Sequence, residues 1–170
     1  ASASSVSKGE SLKDTVQNIH AMKMDCAVMR HPVSGSCLQL SKFVDAVVIN
    51  AGDGTHEHPT QALLDMMSLQ EKFGKLKGLN IAIVGDILHS RVALSNIYGL
   101  QKMGAKVTLC GPPHLIPRGI DELGVSVNSD IDEVIEWADA LNVLRIQRER
   151  MGVGIIPSIR EYRDFFGITQ

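Results

Sequence analysis

Short apolar runs alternate with stretches of helical periodicity along almost the whole chain, and this alternation constrains its fold more than any other feature. The apolar runs typical of strands lie at 26–32, 45–53, 79–86, 105–111, 124–127 and 140–144. The helical stretches lie at 10–22, 35–44, 59–73, 90–103, 118–123 and 130–139. Strands separated by helices of this length are typical of βαβ units, in which the strands run parallel.

We therefore predict an α/β protein made of two doubly wound parallel-sheet units, of which the first lacks its beginning. The breaker segment GKLKG at 74–78 precedes the second unit, and the helix predicted at 59–73 connects the two. Pro59 suits the first position of that helix. The stripe expected to face inward consists of Leu63, Met66, Met67 and Phe73. The predicted division of the chain is 1–57, 58–74 and 75–170.

Composition excludes several classes of function. Hydrophobic residues make up 44% and charged residues 21% of the 170-residue chain, and the net charge of −2 gives no basis for binding nucleic acid or an acidic membrane. No apolar stretch reaches the roughly 18 residues of a membrane span, so a soluble, cytoplasmic protein is expected. The cysteines lack metal or redox spacing and are predicted to be buried thiols: Cys26, Cys37 and Cys110.

Both ends of the sequence look cut. The first residue is Ala1, the opening segment is a serine-rich loop, and the last residues, 161–170, form a short helix-like stretch. We therefore expect this chain to be a fragment or a processed form of a longer protein.

Polar side chains follow the predicted strands, where open parallel sheets bind their ligands. Those after the strands include Arg30, His31, His56, His58, Gln61, Asp86, His89, Arg91, Arg145 and Gln147. Arginine binds carboxylate and phosphate groups with two parallel hydrogen bonds. This set therefore predicts a site for an anionic ligand with planar carboxylate or phosphate groups.

Simpler structural roles remain open for some of these residues. His58 and Gln61 can face one ligand at the positively polarised start of the helix at 59–73, or His58 can cap that helix while Gln61 is solvated. Arg91 can be a surface residue that opens a helix. Arg145 directly follows an apolar strand, where its charge needs a partner or access to solvent. Arg148 and Arg150 are predicted to be surface charges.

Other chemistries fit the sequence less well. His56 and His58, separated by one residue, could supply half of the ligands of a metal site, but no nearby Asp, Glu or Cys completes a plausible ligand set. The segment 79–91 lacks the glycines of a dinucleotide-binding fingerprint. No G-x-S-x-G elbow or activated cysteine provides a nucleophile. A metal site and nicotinamide binding are therefore disfavoured, and covalent catalysis has no candidate residue.

Five segments together resemble the aspartate carbamoyltransferase family. They are SxxxKGE from Ser4 to Glu10, MRHP at 29–32, NAGDGTHEHPTQALLD at 50–65, GDILHSR at 85–91 and LRIQRER at 144–150. HPTQ is shared with ornithine carbamoyltransferases, whereas MRHP and LRIQ favour aspartate as the acceptor. Arginines suit the two carboxylates of aspartate and would repel the side-chain ammonium of ornithine.

The resemblance implies the fold of the aspartate/ornithine carbamoyltransferases and assigns each candidate residue a role. Residues 1–57 would belong to the carbamoyl phosphate-binding domain, 58–74 to an interdomain helix and 75–170 to the aspartate-binding domain. The residues implied to hold carbamoyl phosphate are Arg30, His58 and Gln61, with Ser4 and Lys8 from a mobile loop that reaches a neighbouring subunit. Those implied to hold aspartate are Arg91, Arg145 and Gln147, again with Lys8. The family's catalytic unit is a homotrimer with shared sites, and it uses no metal or organic cofactor, so none is expected here.

The family's reaction is direct attack of the amine of aspartate on the carbamoyl carbon, with phosphate leaving and taking the proton. Arg30 and His58 would stabilise the oxyanion, which makes them the implied catalytic residues. The family's S-x-R-T-R segment would lie before residue 1 and its H-P-x-P segment after Gln170, so this chain alone is expected to be inactive.

Two alternatives to an aspartate-specific transferase stay open. The acceptor can be another amino acid or amine, or the chain can be a noncatalytic carbamoyltransferase-like domain that serves assembly or allostery. Regulatory or dihydroorotase subunits are possible partners of such a protein, and the sequence does not decide whether they associate.

Overall fold

The computed structural model describes residues 11–146 and 159–168, apart from the side chains at 159 and 161. The chain divides into two compact units, one ending at Thr60 and the other beginning at Gln61. The division falls inside the helix that the sequence predicts at 59–73. The three-part domain assignment with boundaries at 57/58 and 74/75 therefore remains a proposal.

The first unit contains two parallel strands and two helices among its described residues. In chain order they are α1 (Leu12–His20), β1 (Cys26–His31), α2 (Ser36–Leu40) and β2 (Val47–Asp53). Helix α1 begins two residues after its predicted start because Ser11 caps it: the Ser11 hydroxyl accepts a hydrogen bond from the Asp14 amide at 3.2 Å. Strands β1 and β2 pair in parallel, as expected for a βαβ unit.

One face of this small sheet packs against a core, and the other is open in the described part of the chain. Val16, Leu40 and Val44 form the buried cluster, whereas Val28 on β1 is 70% exposed. Because successive residues of a strand point to opposite faces, Cys26 shares the open face with Val28. The prediction that Cys26 is buried was therefore wrong, whereas Cys37 and Cys110 are buried.

The second unit is built on a parallel sheet with helices on both faces. Its elements are α3 (Pro59–Phe73, whose first two residues lie in the first unit), β3 (Asn80–Val84), α4 (Arg91–Lys102), β4 (Lys106–Cys110), β5 (Ser126–Val127), α5 (Ile131–Trp137), β6 (Ala140–Val143) and α6 (Ile159–Phe166). The strand order is β5-β4-β3-β6, with every pairing parallel. This confirms the predicted α/β class with doubly wound parallel sheets.

Strand β3 is the centre of the second unit, and its two faces carry separate cores. Ile81 and Ile83 belong to a cluster with Ile97 of α4. Ala82 and Val84, which point the other way, belong to a cluster with Val134 of α5 and with Phe166 of α6. Burial on both faces explains why β3 has a continuous apolar sequence and not an alternating one.

Helix α3 has the predicted limits but presents a different face to the core. Ala62 is buried, and Met66 and Leu69 pack against the main cluster of the second unit. Leu63 and Met67, expected to face inward, are 63% and 58% exposed. Apolar residues surround this helix at 62–64 and 66–67, so periodicity alone does not select the buried face.

Strand β6 was predicted to be buried and is only partly so. It lies at one edge of the four-stranded sheet, next to β3. Its residues are partly buried from Ala140 to Asn142, and Val143 is 60% exposed. Edge strands pair on one side only, which accounts for the difference from β3.

The three thiols should differ in reactivity. Burial, and then the negative charge of Asp53, raises the pKa of Cys37; burial, and then Asp130, raises the pKa of Cys110 to about 11. Because the thiolate is the nucleophile, we expect iodoacetamide at pH 8 to alkylate Cys26 well before the other two. Peptide mass mapping over time, with a urea-denatured sample as control, measures the three rates. Equal rates for Cys26 and Cys110 in the folded protein would contradict this expectation.

Candidate functional site

Asp53 organises the turn that follows β2. Its carboxylate is 2% exposed and accepts hydrogen bonds from the backbone amides of Gly35 at 2.7 Å and Glu57 at 3.1 Å. The Asn50 side chain donates to it at 3.1 Å, and His56 Nδ1 lies 3.4 Å away. One buried acceptor thus fixes both the loop before α2 and the segment that leads to α3.

The hydrogen bonds of Asp53 also set its protonation. Burial by itself raises the pKa of this carboxyl, but the hydrogen bonds from Asn50, the Gly35 amide and His56 together hold it below its ordinary value. The carboxylate is therefore the form that the folded first unit favours.

Arg30 lies at the same edge of the first sheet as this turn. It is exposed and is the next-to-last residue of β1, whose last residue, His31, pairs in register with Asp53. The Gly54 amide donates to the His31 carbonyl at 2.9 Å, and His31 Nδ1 lies 2.7 Å from the hydroxyl of Ser36. The end of β1 and the turn after β2 are therefore held together, as parallel pairing predicts.

His58 and Gln61 lie at the start of α3, where the helix dipole is positive. His58 is partly buried and directly precedes Pro59, and its Nδ1 lies 3.2 Å from the hydroxyl of Thr60. Gln61 donates from Nε2 to Asp65 Oδ1 at 2.9 Å. The first turn of α3 contains no acidic residue, so it has the polarity that favours an anion.

The second unit has a topological switch point at β3. The chain passes from β3 to β4 and β5 on one side and then reaches β6 on the other. Ligands of open α/β sheets bind beyond the carboxyl ends of the strands at such a point. Segments 85–91 and 144–146 leave β3 and β6 there, because Val84 pairs with Val143 and the Leu144 amide donates to the Val84 carbonyl at 2.7 Å.

The two predicted arginines of this unit differ in their surroundings. Arg91 is the first residue of α4, directly after the capping residue Ser90, and is only 8% exposed. It is therefore not the surface residue that the alternative interpretation requires. Arg145 is exposed two residues beyond β6, so its charge reaches solvent.

The sequence identified Asp86 and His89 as polar residues near the end of a strand, but it did not predict that the two side chains pair. Asp86 is fully buried and accepts hydrogen bonds from His89, from its amide at 3.1 Å and from Nδ1 at 2.8 Å. The available signal was an acidic residue directly after a buried strand, which needs a partner when it is not solvated.

Gly85 permits the close approach of the strand ends. Its φ of +125° lies in a region that side chains rarely adopt. A Cβ at this position would lie 2.9 Å from the Leu144 carbonyl oxygen and 3.3 Å from the hydroxyl of Tyr162 on α6. Burial, and then the charges of Asp86 and Cys110, raises the pKa of Tyr162. The hydroxyl therefore stays protonated beside Gly85.

Five of the eight residues in the predicted site lie in the described part of the chain. Arg30 and His58 belong to the first unit; Gln61, Arg91 and Arg145 belong to the second. Ser4, Lys8 and Gln147 lie outside the described residues. Besides the pairing of Asp86 with His89, sequence reasoning missed Asp65, for which the helical spacing from Gln61 was the available signal.

Among residues 11–146 and 159–168, no cluster of three or more His, Cys, Asp or Glu side chains has the geometry to hold a metal ion. None of the helices in that part of the chain combines the length and the apolar character needed to cross a membrane.

Comparison with known proteins gives consistent matches. The family described as aspartate/ornithine carbamoyltransferase, carbamoyl-P binding domain, matches residues 1–71. The aspartate carbamoyltransferase catalytic subunit of Gemmatimonas aurantiaca is 58% identical over 166 residues, which are 98% of this chain and 52% of the relative. The corresponding subunit of Desulforamulus reducens is 58% identical over 170 residues, 100% of this chain and 54% of the relative. This chain therefore spans about half the length of the relatives it matches.

A solved structure agrees with these relatives. Aspartate transcarbamoylase from Trypanosoma cruzi, in complex with carbamoyl aspartate and phosphate, superposes with a TM-score of 0.79 at 33% identity. The match covers 89% of this chain and 53% of that one.

The close packing at Gly85 predicts an unusually costly alanine substitution. Gly85→Ala combines an unfavourable φ with a steric clash, so we expect a loss of roughly 2–4 kcal/mol in the free energy of unfolding, measured by urea titration. Gly78→Ala is the matched control, because Gly78 has φ +85° but no atom within 4 Å of the place that a Cβ would occupy. It should cost only about 1 kcal/mol. Equal losses for the two variants would refute the proposed crowding.

Because the pKa of Asp53 is lowered, we expect the stability of the turn that it holds to depend on pH. Because the folded-state pKa is lowered, the stabilisation is present above the ordinary pKa of about 3.8 and is lost as the pH falls through the folded value. Asp53→Asn should therefore speed hydrogen exchange of the Gly35 and Glu57 amides at pH 6, relative to their intrinsic rates. The difference from wild type should shrink below pH ~4. Asp45→Asn, an exposed change in the same unit, should leave both amides unaffected. A difference that persists unchanged at low pH would contradict this account.

Proposed function

Because this chain belongs to the aspartate carbamoyltransferase family, we propose that the protein transfers the carbamoyl group of carbamoyl phosphate to the amino group of L-aspartate. The products are N-carbamoyl-L-aspartate and phosphate, in the route of pyrimidine biosynthesis. The observation that supports this most directly is the switch point of the second unit. It has a nearly buried Arg91 at the start of α4 and an exposed Arg145 after the neighbouring strand.

Two arginines at such a point suit a dicarboxylate. Each guanidinium can form paired hydrogen bonds with a carboxylate, and aspartate has two of these groups. The ammonium of an ornithine side chain would be repelled by the same charges. We therefore assign Arg91 and Arg145, together with Gln147 and Lys8, to aspartate.

The residues near the start of α3 suit the other substrate. The helix terminus favours the phosphate dianion, and Arg30 and His58 can donate to the carbonyl oxygen or the phosphate. Gln61 has an amide that can accept a hydrogen bond from the carbamoyl amino group. We assign these residues, with Ser4 and Lys8, to carbamoyl phosphate.

The reaction then follows from charge and position. The neutral amine of aspartate attacks the carbamoyl carbon, a C–N bond forms, the bond to the phosphate oxygen breaks, and the amine proton goes to the departing phosphate. Cationic donors offset the repulsion between two anionic reactants, and holding the reactants at contact distance supplies several kcal/mol of the barrier. Arg30 and His58 stabilise the oxyanion of the tetrahedral intermediate, for which one donor is typically worth roughly 3 kcal/mol.

The assembly and location belong to the same proposal. Ser4 and Lys8 act in the site of a neighbouring subunit, and the working protein is a homotrimer with shared sites. Its location is the cytoplasm. It needs no metal or organic cofactor. Regulatory or dihydroorotase subunits are optional partners of this assembly.

A substrate and mutation assay on the protein in its full natural length tests the proposal. Carbamoyl aspartate formation should require carbamoyl phosphate and L-aspartate, and ornithine should give no product. Arg145→Ala should lower kcat/KM for aspartate about 10- to 100-fold, as expected for the loss of a charge-assisted hydrogen bond. Arg118→Ala, an exposed arginine on the loop between β4 and β5, is the control and should change kcat/KM less than twofold. The 170-residue chain alone should show no turnover.

The possible failures of this assay are distinguishable. Turnover with a different amine would favour the broader carbamoyltransferase alternative, and no turnover with any acceptor would favour a noncatalytic domain. Equal effects of Arg145→Ala and Arg118→Ala would remove Arg145 from the aspartate site.

A further inference from the structure

Three side-chain amides converge on the carboxylate of Asp65 within the second unit. Gln61 Nε2 donates to Asp65 Oδ1 at 2.9 Å. Asn96 Nδ2 of α4 and Asn142 Nδ2 of β6 donate to Asp65 Oδ2 at 2.8 and 3.1 Å. Asp65 is partly buried and Asn96 is fully buried. The carboxylate therefore connects three elements of this unit through hydrogen bonds.

The chemistry of the four groups fixes the orientation of the Gln61 amide. A carboxylate only accepts hydrogen bonds, whereas a side-chain amide has a donating NH₂ end and an accepting oxygen end. The Gln61 NH₂ group must face Asp65, so its carbonyl oxygen lies on the opposite side of the amide group. The terminal torsion of glutamine has only weak preferences of its own. Asp65 is thus the group that selects one of two otherwise similar orientations.

The other two donors explain why this position suits a carboxylate and not an amide. Both oxygens of Asp65 are used, one by Gln61 and one by the two asparagines. An asparagine at position 65 would offer a single acceptor and place a donor opposite one of the three amides. A buried donor such as that of Asn96 would then lose its partner, which is unfavourable in a low-dielectric interior.

We propose that Asp65 is a positioning residue that sets the selectivity of the site for a carbamoyl group over other acyl phosphates. This inference rests on the proposed function, in which Gln61 contacts the carbamoyl nitrogen. When Asp65 holds the NH₂ group of Gln61, the amide oxygen of Gln61 faces the carbamoyl NH₂ group and can accept a hydrogen bond from it. In the reversed orientation two NH₂ groups would face each other, and no hydrogen bond could form between them. Acetyl phosphate has the same phosphate and carbonyl groups but a methyl group in place of NH₂, so it gains nothing from this acceptor.

The comparison of carbamoyl phosphate with acetyl phosphate separates positioning from general stability. Affinities of both compounds are measured by calorimetric titration of the full-length protein without any acceptor amine. Asp65→Asn should weaken carbamoyl phosphate binding about fivefold and leave acetyl phosphate binding within twofold, as expected for one neutral hydrogen bond. Asp139→Asn is the matched control: Asp139 accepts a hydrogen bond from the Asn80 amide at 2.8 Å in the same unit. It should change neither affinity.

A double-mutant cycle tests whether Asp65 acts through Gln61. Gln61→Ala should reduce the preference for carbamoyl phosphate by about the same factor as Asp65→Asn, and the second change should add nothing to the first. Equal weakening of both acyl phosphates by Asp65→Asn would show a merely structural role and overturn the inference. An unchanged preference in Gln61→Ala would overturn it as well.

If the Asp65→Asn variant does not fold, the wild-type protein still provides a test of the Gln61–Asp65 hydrogen bond. The side-chain NH₂ of Gln61, assigned by its loss in Gln61→Ala, should show slow proton exchange in ¹⁵N spectra because one of its protons is bound to a carboxylate. Fast exchange would overturn the inference. If both acyl phosphates behave as expected but aspartate gives no product, the acceptor assignment fails while the role of Asp65 stands.

Discussion

The parallel pairing of β3 with β4 on one side and β6 on the other is the interaction on which the second unit depends. It brings the carboxyl ends of strands that are distant in sequence to one edge of a sheet. The two apolar faces of β3 then fix a helical layer on each side. The segments that leave this edge carry polar side chains at the place where open parallel sheets bind their ligands.

Buried or partly buried carboxylates hold loops in each of the two units and, in the second unit, helix α3. Asp53 fixes the turn before α3, Asp65 joins α3 to α4 and β6, and Asp86 fixes His89. Each carboxylate uses amide or imidazole donors in the described contacts. A local acceptor surrounded by donors avoids the cost of an isolated buried charge.

The sequence predicted the class of fold well because its strongest signals are local. Helix α3 has its predicted limits, and most other elements begin and end within about two residues of expectation, as periodicity and capping allow. The burial of individual faces was less predictable. Leu63 and Met67 were assigned to the wrong side of α3, and Cys26 to the wrong face of β1, because tertiary packing decides between equivalent apolar faces. For the site, strand ends identified Arg91 and Arg145 as candidates, whereas the contacts of Asp65 depend on Asn96 and Asn142, which are far away in sequence.

There is no space for a side chain at Gly85, and this limits the substitutions that related proteins can accept at this position. A side chain cannot be added where β3 ends without displacing the Leu144 carbonyl or the Tyr162 hydroxyl. New acceptor preferences in related proteins are therefore expected to arise from side-chain changes in the segments that follow β3 and β6, and not at Gly85 itself. The backbone at the end of β3 is therefore constrained, and the part of the site that can evolve consists of the side chains in the segments that follow.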